Sequence, residues 1–187
     1  MQYPYPGIMP PPMYNMYPYP YWGNQQMYNM PPYPYFNNQP IKRATIDLID
    51  YGPNPFAVDI DKATNQNNTF RTVLWTGDHL QVALMSIDVG DDIGLEVHTE
   101  SDQFIRIEEG NALIRMGDSQ DNLNFQKQVF DDFAIMIPAG KWHNIINAGN
   151  TPLKLYAIYA PPEHPRDTVQ QTKPDSEAAE NRYRYRY

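Results

Sequence analysis

Residues 90–110 read GDDIGLEVHTESDQFIRIEEG and carry closely spaced side chains that can bind a metal. Glu96 and His98 stand two residues apart, and on a β-strand that spacing places both side chains on one face. After a turn of four residues, Gln103 can return on the neighbouring antiparallel strand. The stretch therefore predicts β-structure on which three metal-capable side chains converge.

Residues 138–147 read PAGKWHNIIN and supply a further side chain of this kind. A turn at Pro138 and Gly140 precedes a predicted strand that starts with His143. The period of two along a strand keeps Asn147 on the same face as His143. We expect His143 to complete the site that the first stretch begins.

Together the two stretches resemble the paired motifs of the cupin superfamily. In those motifs a Gly, a His-x-His pair, a Glu and a Gly are followed by Pro-x-Gly-x-x-His-x-x-x-Asn. The matching positions are Gly90, His98, Gly110, Pro138, Gly140, His143 and Asn147. The resemblance covers about residues 41–165 and looks most like the small single-domain (type-2) cupins described as mannose-6-phosphate isomerase-like. It implies an all-β fold with one cupin barrel, also called a double-stranded β-helix or jelly roll.

Three positions depart from the cupin pattern. Glu96 stands where the first His would be, Gln103 replaces the Glu, and Asp132 replaces the leading Gly of the second motif. One negative charge therefore stays in the site but moves to another strand. Two imidazoles and a carboxylate, with Gln103 as a weak fourth oxygen donor, suit Fe(II) and also Mn, Ni or Zn. A divalent transition metal is the expected cofactor, held by Glu96, His98, Gln103 and His143.

The residues around these ligands predict a pocket for a small molecule. Ile105 and Ile107 share the inward face with Gln103, and Ile145 lies between His143 and Asn147 in the sequence. Apolar walls around a few polar groups are typical of small-molecule sites. We therefore expect Asn147, Ile105, Ile107 and Ile145 to line the pocket, while the catalytic residues stay unassigned.

The sequence between Thr69 and Tyr159 consists of short apolar runs separated by Gly, Asn and Asp. That spacing favours a sandwich or barrel of short strands. A short helix is expected over Asp61–Gln66. The predicted strands are Thr69–Trp75, Leu80–Asp88, Gly94–His98, Gln103–Glu108, Ala112–Met116, Phe125–Phe130, Ala134–Ile137, His143–Asn147 and Leu153–Tyr159.

The two ends of the chain differ in composition from its centre. Residues 1–41 contain no charged side chain and repeat the motif Tyr-Pro-Tyr. Since prolines remove backbone donors and favour extended geometry, this low-complexity segment is predicted to be disordered, and its tyrosines are predicted to support self-association. The cupin domain is predicted over residues 42–165. Residues 166–187 are predicted to be a flexible polar tail, with His79 and His164 on the surface.

The overall charge and composition limit the kinds of partner. A formal net charge of −8 argues against nucleic acid as the main partner. There is no cysteine and no long apolar run, so neither disulfides nor membrane insertion is expected. No conventional signal peptide is recognisable, which favours a cytoplasmic location, with a bacterial spore coat or a similar surface layer as the alternative.

Three functions stay open at the level of sequence. The first is a metal-dependent cupin that acts on a small sugar or keto acid, by isomerase or oxygenase chemistry. The second is a structural or coat-type protein in which residues 1–41 self-associate or cross-link and the cupin is not catalytic. The third is a cupin that binds a ligand without reacting. The resemblance also implies a homodimer that pairs through barrel edges.

Overall fold

The computed structural model describes residues 45–184. The predicted disorder and self-association of residues 1–41 lie outside the described residues. Within residues 45–184 no helix is both long enough and apolar enough to cross a membrane. The described chain belongs to one compact unit that begins at Arg43.

The described part of the chain forms two antiparallel β-sheets. A six-stranded sheet has the order β6-β3-β8-β2-β1-β9, and a three-stranded sheet has the order β5-β4-β7. The strands are β1 Arg71–Thr76, β2 Gln81–Ile87, β3 Asp102–Glu109, β4 Asn111–Gly117, β5 Phe125–Phe130, β6 Ala134–Ile137, β7 Trp142–Asn147, β8 Leu153–Ala160 and β9 Val169–Gln170. This arrangement is the expected all-β fold, with the sheets packed as a cupin-like sandwich.

The core lies between the two sheets, and buried residues alternate with more accessible ones along strands such as β3 and β7. On β3 the buried positions are Gln103, Ile105 and Ile107, and on β7 they are His143, Ile145 and Asn147. The isoleucines join a large apolar cluster, while Gln103 lies at one end of its row and His143 and Asn147 lie on either side of Ile145. The period of two therefore brings the polar side chains of both sheets into the interior.

The outer face of the large sheet is covered by a short helix, α1 Ile60–Gln66. Asp59 caps the helix by accepting a hydrogen bond from the Lys62 backbone N–H, as N-cap residues commonly do. Ala63 of α1 packs against Leu74 and Leu84 on the outward faces of β1 and β2. The helix agrees with the one expected over residues 61–66, and it leaves the inward face of the sheet to the polar site.

Two segments differ from the sequence-based expectation. Gly94–His98 is not a continuous strand, and only Glu96 forms an isolated bridge, to His143. Gly94 has a φ of 94°, a left-handed conformation that interrupts regular pairing. The expected flexible tail instead contains β9 and the helix α2 Lys173–Arg184 within its described part. Its anchors are distant in sequence, because Gln170 and Ser176 both accept hydrogen bonds from the buried Arg71.

Candidate metal centre

Three metal-capable side chains meet in the interior, at the place where the loop before β3 crosses β7. The backbones of Glu96 and His143 exchange two hydrogen bonds, of 3.0 and 2.9 Å, which place the two residues directly opposite each other. Glu96 Oε1 lies 3.3 Å from His98 Nε2 and 3.2 Å from His143 Nε2. One ligand atom from each residue lies within 4.8 Å of the other two. These distances are small enough for one cation to contact all three.

Both histidines turn the same ring nitrogen towards the carboxylate. His143 Nδ1 lies 2.9 Å from the carbonyl oxygen of Lys141, and that oxygen can only accept a hydrogen bond. Nδ1 therefore carries a hydrogen, and Nε2 is the ring nitrogen that faces Glu96. His98 Nδ1 lies 3.2 Å from Glu163 Oε1 and has the same arrangement. Each ring thus presents Nε2 to the site, as a metal ligand would.

A buried arginine stands behind the carboxylate. Arg71 Nη2 lies 3.9 Å from Glu96 Oε2, and its side chain is wholly inaccessible to solvent. Burial raises the pKa of Glu96, but the hydrogen bonds from His143 and His98 and the positive charges of His98 and Arg71 lower it more. The pKa of Glu96 therefore lies well below its usual range, and the group is held as an anion ready to bind a cation.

Two carboxylates beside His98 raise the pKa of its imidazole ring. Burial lowers the pKa of this imidazole, but Glu163 and Glu96 outweigh burial and raise it to about 9. At neutral pH the ring therefore holds a proton that a cation binding at Nε2 has to replace.

Gln103 is the predicted fourth metal donor. Gln103 is buried on β3 directly opposite Tyr159, and its Oε1 has no hydrogen-bond partner among the described residues. Tyr159 also contacts the ring of His98, with ring centroids 5.4 Å apart. A buried carbonyl oxygen without a partner in this position is consistent with the donor expected of a fourth ligand.

The predicted pocket walls belong to the packed interior. Ile105, Ile107 and Ile145 are fully buried members of the core cluster between the sheets. The Asn147 amide N–H groups lie within hydrogen-bonding distance of the backbone oxygens of Ile87, Asp88 and Thr151. The same side chain accepts a hydrogen bond from Gly149 N–H. Asn147 therefore braces the turn after β7, and its amide has no hydrogen left for a ligand.

A polar cavity of about 240 Å³ lies beside Glu96, on the side of α2. It lies between the loop around Glu96 and the first turns of the helix. Its lining is formed by Ile93, Gly94, Leu95, Glu96, Lys173, Ser176, Glu177 and Glu180. Solvent therefore approaches the site beneath α2. A second, apolar cavity of about 450 Å³ lies on the outer face of β1 and β2, away from the three ligands.

Sequence reasoning missed several residues that adjoin the site. His164, predicted to lie on the surface, packs its ring edge-on against Tyr159 at 5.0 Å, and its Nε2 is buried without a hydrogen-bond partner in the described structure. The surface prediction for His164 is therefore wrong. Its backbone exchanges two hydrogen bonds of 2.9 Å with the side chain of the buried Gln81. The acid-histidine pair Glu163-His164 between prolines was the available signal.

Comparisons with known proteins agree with this geometry. The family model described as "Cupin domain" matches residues 83–159. The Bacillus subtilis "Uncharacterized protein YrkC" is 64% identical over 134 residues, which are 72% of each chain. The mimivirus "Uncharacterized protein L612" is 36% identical over 141 residues, which are 71% of this chain and 86% of the relative.

A solved structure extends the likeness to three dimensions. The crystal structure of BH2720 from Bacillus halodurans is 62% identical and superposes with a TM-score of 0.69. The match covers 70% of this chain and 98% of that one. The narrower resemblance to mannose-6-phosphate isomerase-like proteins stays a prediction. The identity, the coverage, the matched domain and the shared fold together show that the chain belongs to the cupin family.

Proposed function

We propose that this protein is a metal-binding cupin that holds one divalent transition metal through Glu96, His98 and His143. The observation that carries the proposal is the convergence of Glu96 Oε1, His98 Nε2 and His143 Nε2 within 4.8 Å of one another. Both Nδ1 atoms are already engaged outside the site, so the ligating nitrogens are pre-oriented. Gln103 is proposed as a fourth, weaker oxygen donor.

The donor set indicates which cations would bind. Two imidazoles and one carboxylate, with further positions open, suit Fe(II), Mn, Ni or Zn. The chain has no cysteine, so no thiolate is present to favour Cu(I) or an iron–sulfur cluster.

A small oxygenated molecule, of sugar or keto-acid type, is the proposed ligand of the centre. A bound divalent cation would polarise a carbonyl or enediolate, or lower the pKa of a bound water. The chain itself would orient the two imidazoles and exclude bulk water by packing β3 and β7 around them. The cavity beside Glu96 offers the route by which such a molecule would enter. Isomerase and oxygenase chemistry both stay compatible with this arrangement.

The test is metal content by inductively coupled plasma mass spectrometry. Wild-type protein, His98→Ala and His143→Ala are compared with His79→Ala, an exposed histidine remote from the ligands in the sequence. We expect close to one equivalent of a single transition metal in the wild type and in His79→Ala, and little in the other two variants. A wild type that stays metal-free after supplementation with each of the four cations would contradict the proposal.

A further inference from the structure

We infer that Glu163 is a positioning residue of the metal centre, and that its carboxylate sets metal affinity by holding His98. This inference rests on the proposed function, because it assumes that His98 is a metal ligand. Glu163 lies beyond residues 83–159, the part of the chain that matches the cupin domain. It belongs to the Pro-flanked segment that follows β8.

The two histidines differ in the group behind the ring. Behind His143 stands the backbone carbonyl of Lys141, 2.9 Å from Nδ1. Behind His98 stands the carboxylate of Glu163, 3.2 Å from Nδ1. A carboxylate in this position fixes the tautomer and orientation of the ring and raises the basicity of the ligating nitrogen. Of these two outer partners, only Glu163 is a side chain and can be altered by substitution.

Glu163 is itself held in place. The hydroxyl of the buried Ser101 donates a 2.8 Å hydrogen bond to Glu163 Oε2, so each carboxylate oxygen has its own partner. The next residue along the chain, His164, is fixed through its backbone by the side chain of Gln81.

The charge of Glu163 matters as well as its geometry. Glu96 and Glu163 together carry two negative charges on either side of His98, at 3.3 and 3.2 Å from its two nitrogens. These two carboxylates would offset part of the positive charge of Arg71 and of a divalent cation at Nε2. Loss of Glu163 would therefore weaken cation binding even if the ring kept its orientation.

A graded set of variants separates orientation from charge. Glu163→Gln keeps an oxygen that can accept from Nδ1–H but loses the charge, whereas Glu163→Ala loses both. Substitution of a side chain that orients a metal ligand typically lowers metal affinity about 10- to 100-fold. We therefore expect Glu163→Gln to lower the affinity about 10-fold and Glu163→Ala to lower it up to about 100-fold. Ser101→Ala removes only the hydrogen bond that holds the Glu163 carboxylate, so it should lower metal affinity less than Glu163→Ala. Glu109→Gln, an exposed carboxylate at the end of β3, is the matched control.

The experiment measures the dissociation constant for Zn²⁺ by competition with a chromophoric chelator, beside the urea midpoint of each metal-free variant. Long-range ¹H–¹⁵N spectra of the Zn²⁺-loaded proteins report which nitrogen of His98 carries the hydrogen. We expect Nδ1–H in the wild type and a disturbed His98 signal in Glu163→Ala, with His143 unchanged.

Two different failures can be told apart. Zn²⁺ binding to Glu163→Ala within twofold of the wild-type affinity, with an unchanged His98 signal, would overturn the role of Glu163 and leave the metal centre standing. A wild-type protein that binds no Zn²⁺, Fe²⁺, Mn²⁺ or Ni²⁺ would instead overturn the proposed function on which the inference rests. A loss of urea stability without a loss of affinity would reduce Glu163 to a structural residue.

Discussion

His164 is a partly buried histidine with a buried Nε2, and the folded protein resists its protonation. Burial lowers its pKa, and the positive charges of Arg71 and His98 lower it further, against an opposing effect of Glu96 and Glu163, so that it lies at about 3. The unfolded chain binds a proton near pH 6.5 and the folded chain does not. The free energy of unfolding should therefore fall as the pH drops from about 6.5 towards 3, by up to about 1.4 kcal/mol per pH unit.

Urea unfolding of wild type and His164→Phe, followed from pH 7.5 to pH 5, measures this contribution. Phenylalanine keeps a ring against Tyr159 but cannot be protonated. We expect the two stability curves to converge or cross as the pH falls, because only the wild type loses the contribution of His164. Carboxylates common to both proteins cancel in the difference. Parallel curves over this window would show that His164 titrates normally in the folded chain.

The role of a single residue can be predicted from the sequence when the residues that define that role lie close to it along the chain. Glu96 and His98 are two residues apart, and His143 follows a Pro-Gly turn, so local spacing was enough to single them out as candidate ligands. Arg71 is a charged residue at the start of an apolar strand, and nothing nearby explains its burial. Its partners Gln170 and Ser176 lie 99 and 105 residues away. A buried charge whose partners are so distant cannot be recognised from a local pattern.

The C-terminal helix α2 and the strand β9 before it contact the barrel through hydrogen bonds from the buried Arg71 and through partly exposed ion pairs of Lys173. Arg71 Nη1 donates to Ser176 Oγ at 2.8 Å and to Gln170 Oε1 at 2.9 Å. Lys173 pairs with Asp91 and Asp92 in the loop that leads to the proposed metal ligands. The helix therefore supports both the loop before Glu96 and the arginine behind it.

Ser176→Ala tests this coupling. The substitution removes one acceptor from a wholly buried guanidinium, and a lost hydrogen bond to a charged group costs about 1.5–3 kcal/mol. We expect a loss of that order in the free energy of unfolding by urea, while Ser119→Ala, at an exposed turn, should change it by less than about 0.5 kcal/mol. Equal stability of the two variants would mean that α2 contributes little to the fold.

A strand or helix can be predicted from the sequence when the pattern of its own residues is enough to define it. Strands such as β3 and β7 alternate buried residues with more accessible ones over most of their length, so the period of two reveals them. Gly94 breaks the expected strand before His98, because its backbone adopts a left-handed conformation that the sequence pattern alone does not announce. The helix α2 did carry a start signal, since Thr172 bonds to Asp175 as in a capping box. The prediction of a flexible tail followed from the polar composition of residues 166–187 alone.

At the scale of the molecule, the two sheets leave edges where another chain could pair. β6 ends one sheet and β5 ends the other, and both expose large apolar side chains, Met136 on β6 and Phe130 on β5. Exposed apolar edges of this kind favour association. The homodimer implied by the cupin resemblance stays a prediction, and β5 and β6 are the edges through which we expect it to form. The self-association predicted for residues 1–41 stays a prediction as well.

The proposed metal centre also has a consequence for the stability of the whole chain. Its ligands come from positions 96, 98 and 143, and only the folded sheets bring them within 4.8 Å. A cation that binds the folded chain alone stabilises it by mass action, by about 2.7 kcal/mol at a free concentration 100 times the dissociation constant.

We expect the urea midpoint of protein stripped with a chelator to rise on addition of the bound metal. His143→Ala should show no such rise, whereas His79→Ala should match the wild type. If metal analysis showed one bound equivalent but stripped and loaded wild type unfolded at the same urea concentration, the ion would be bound outside this cluster, at a site that also exists in the unfolded chain.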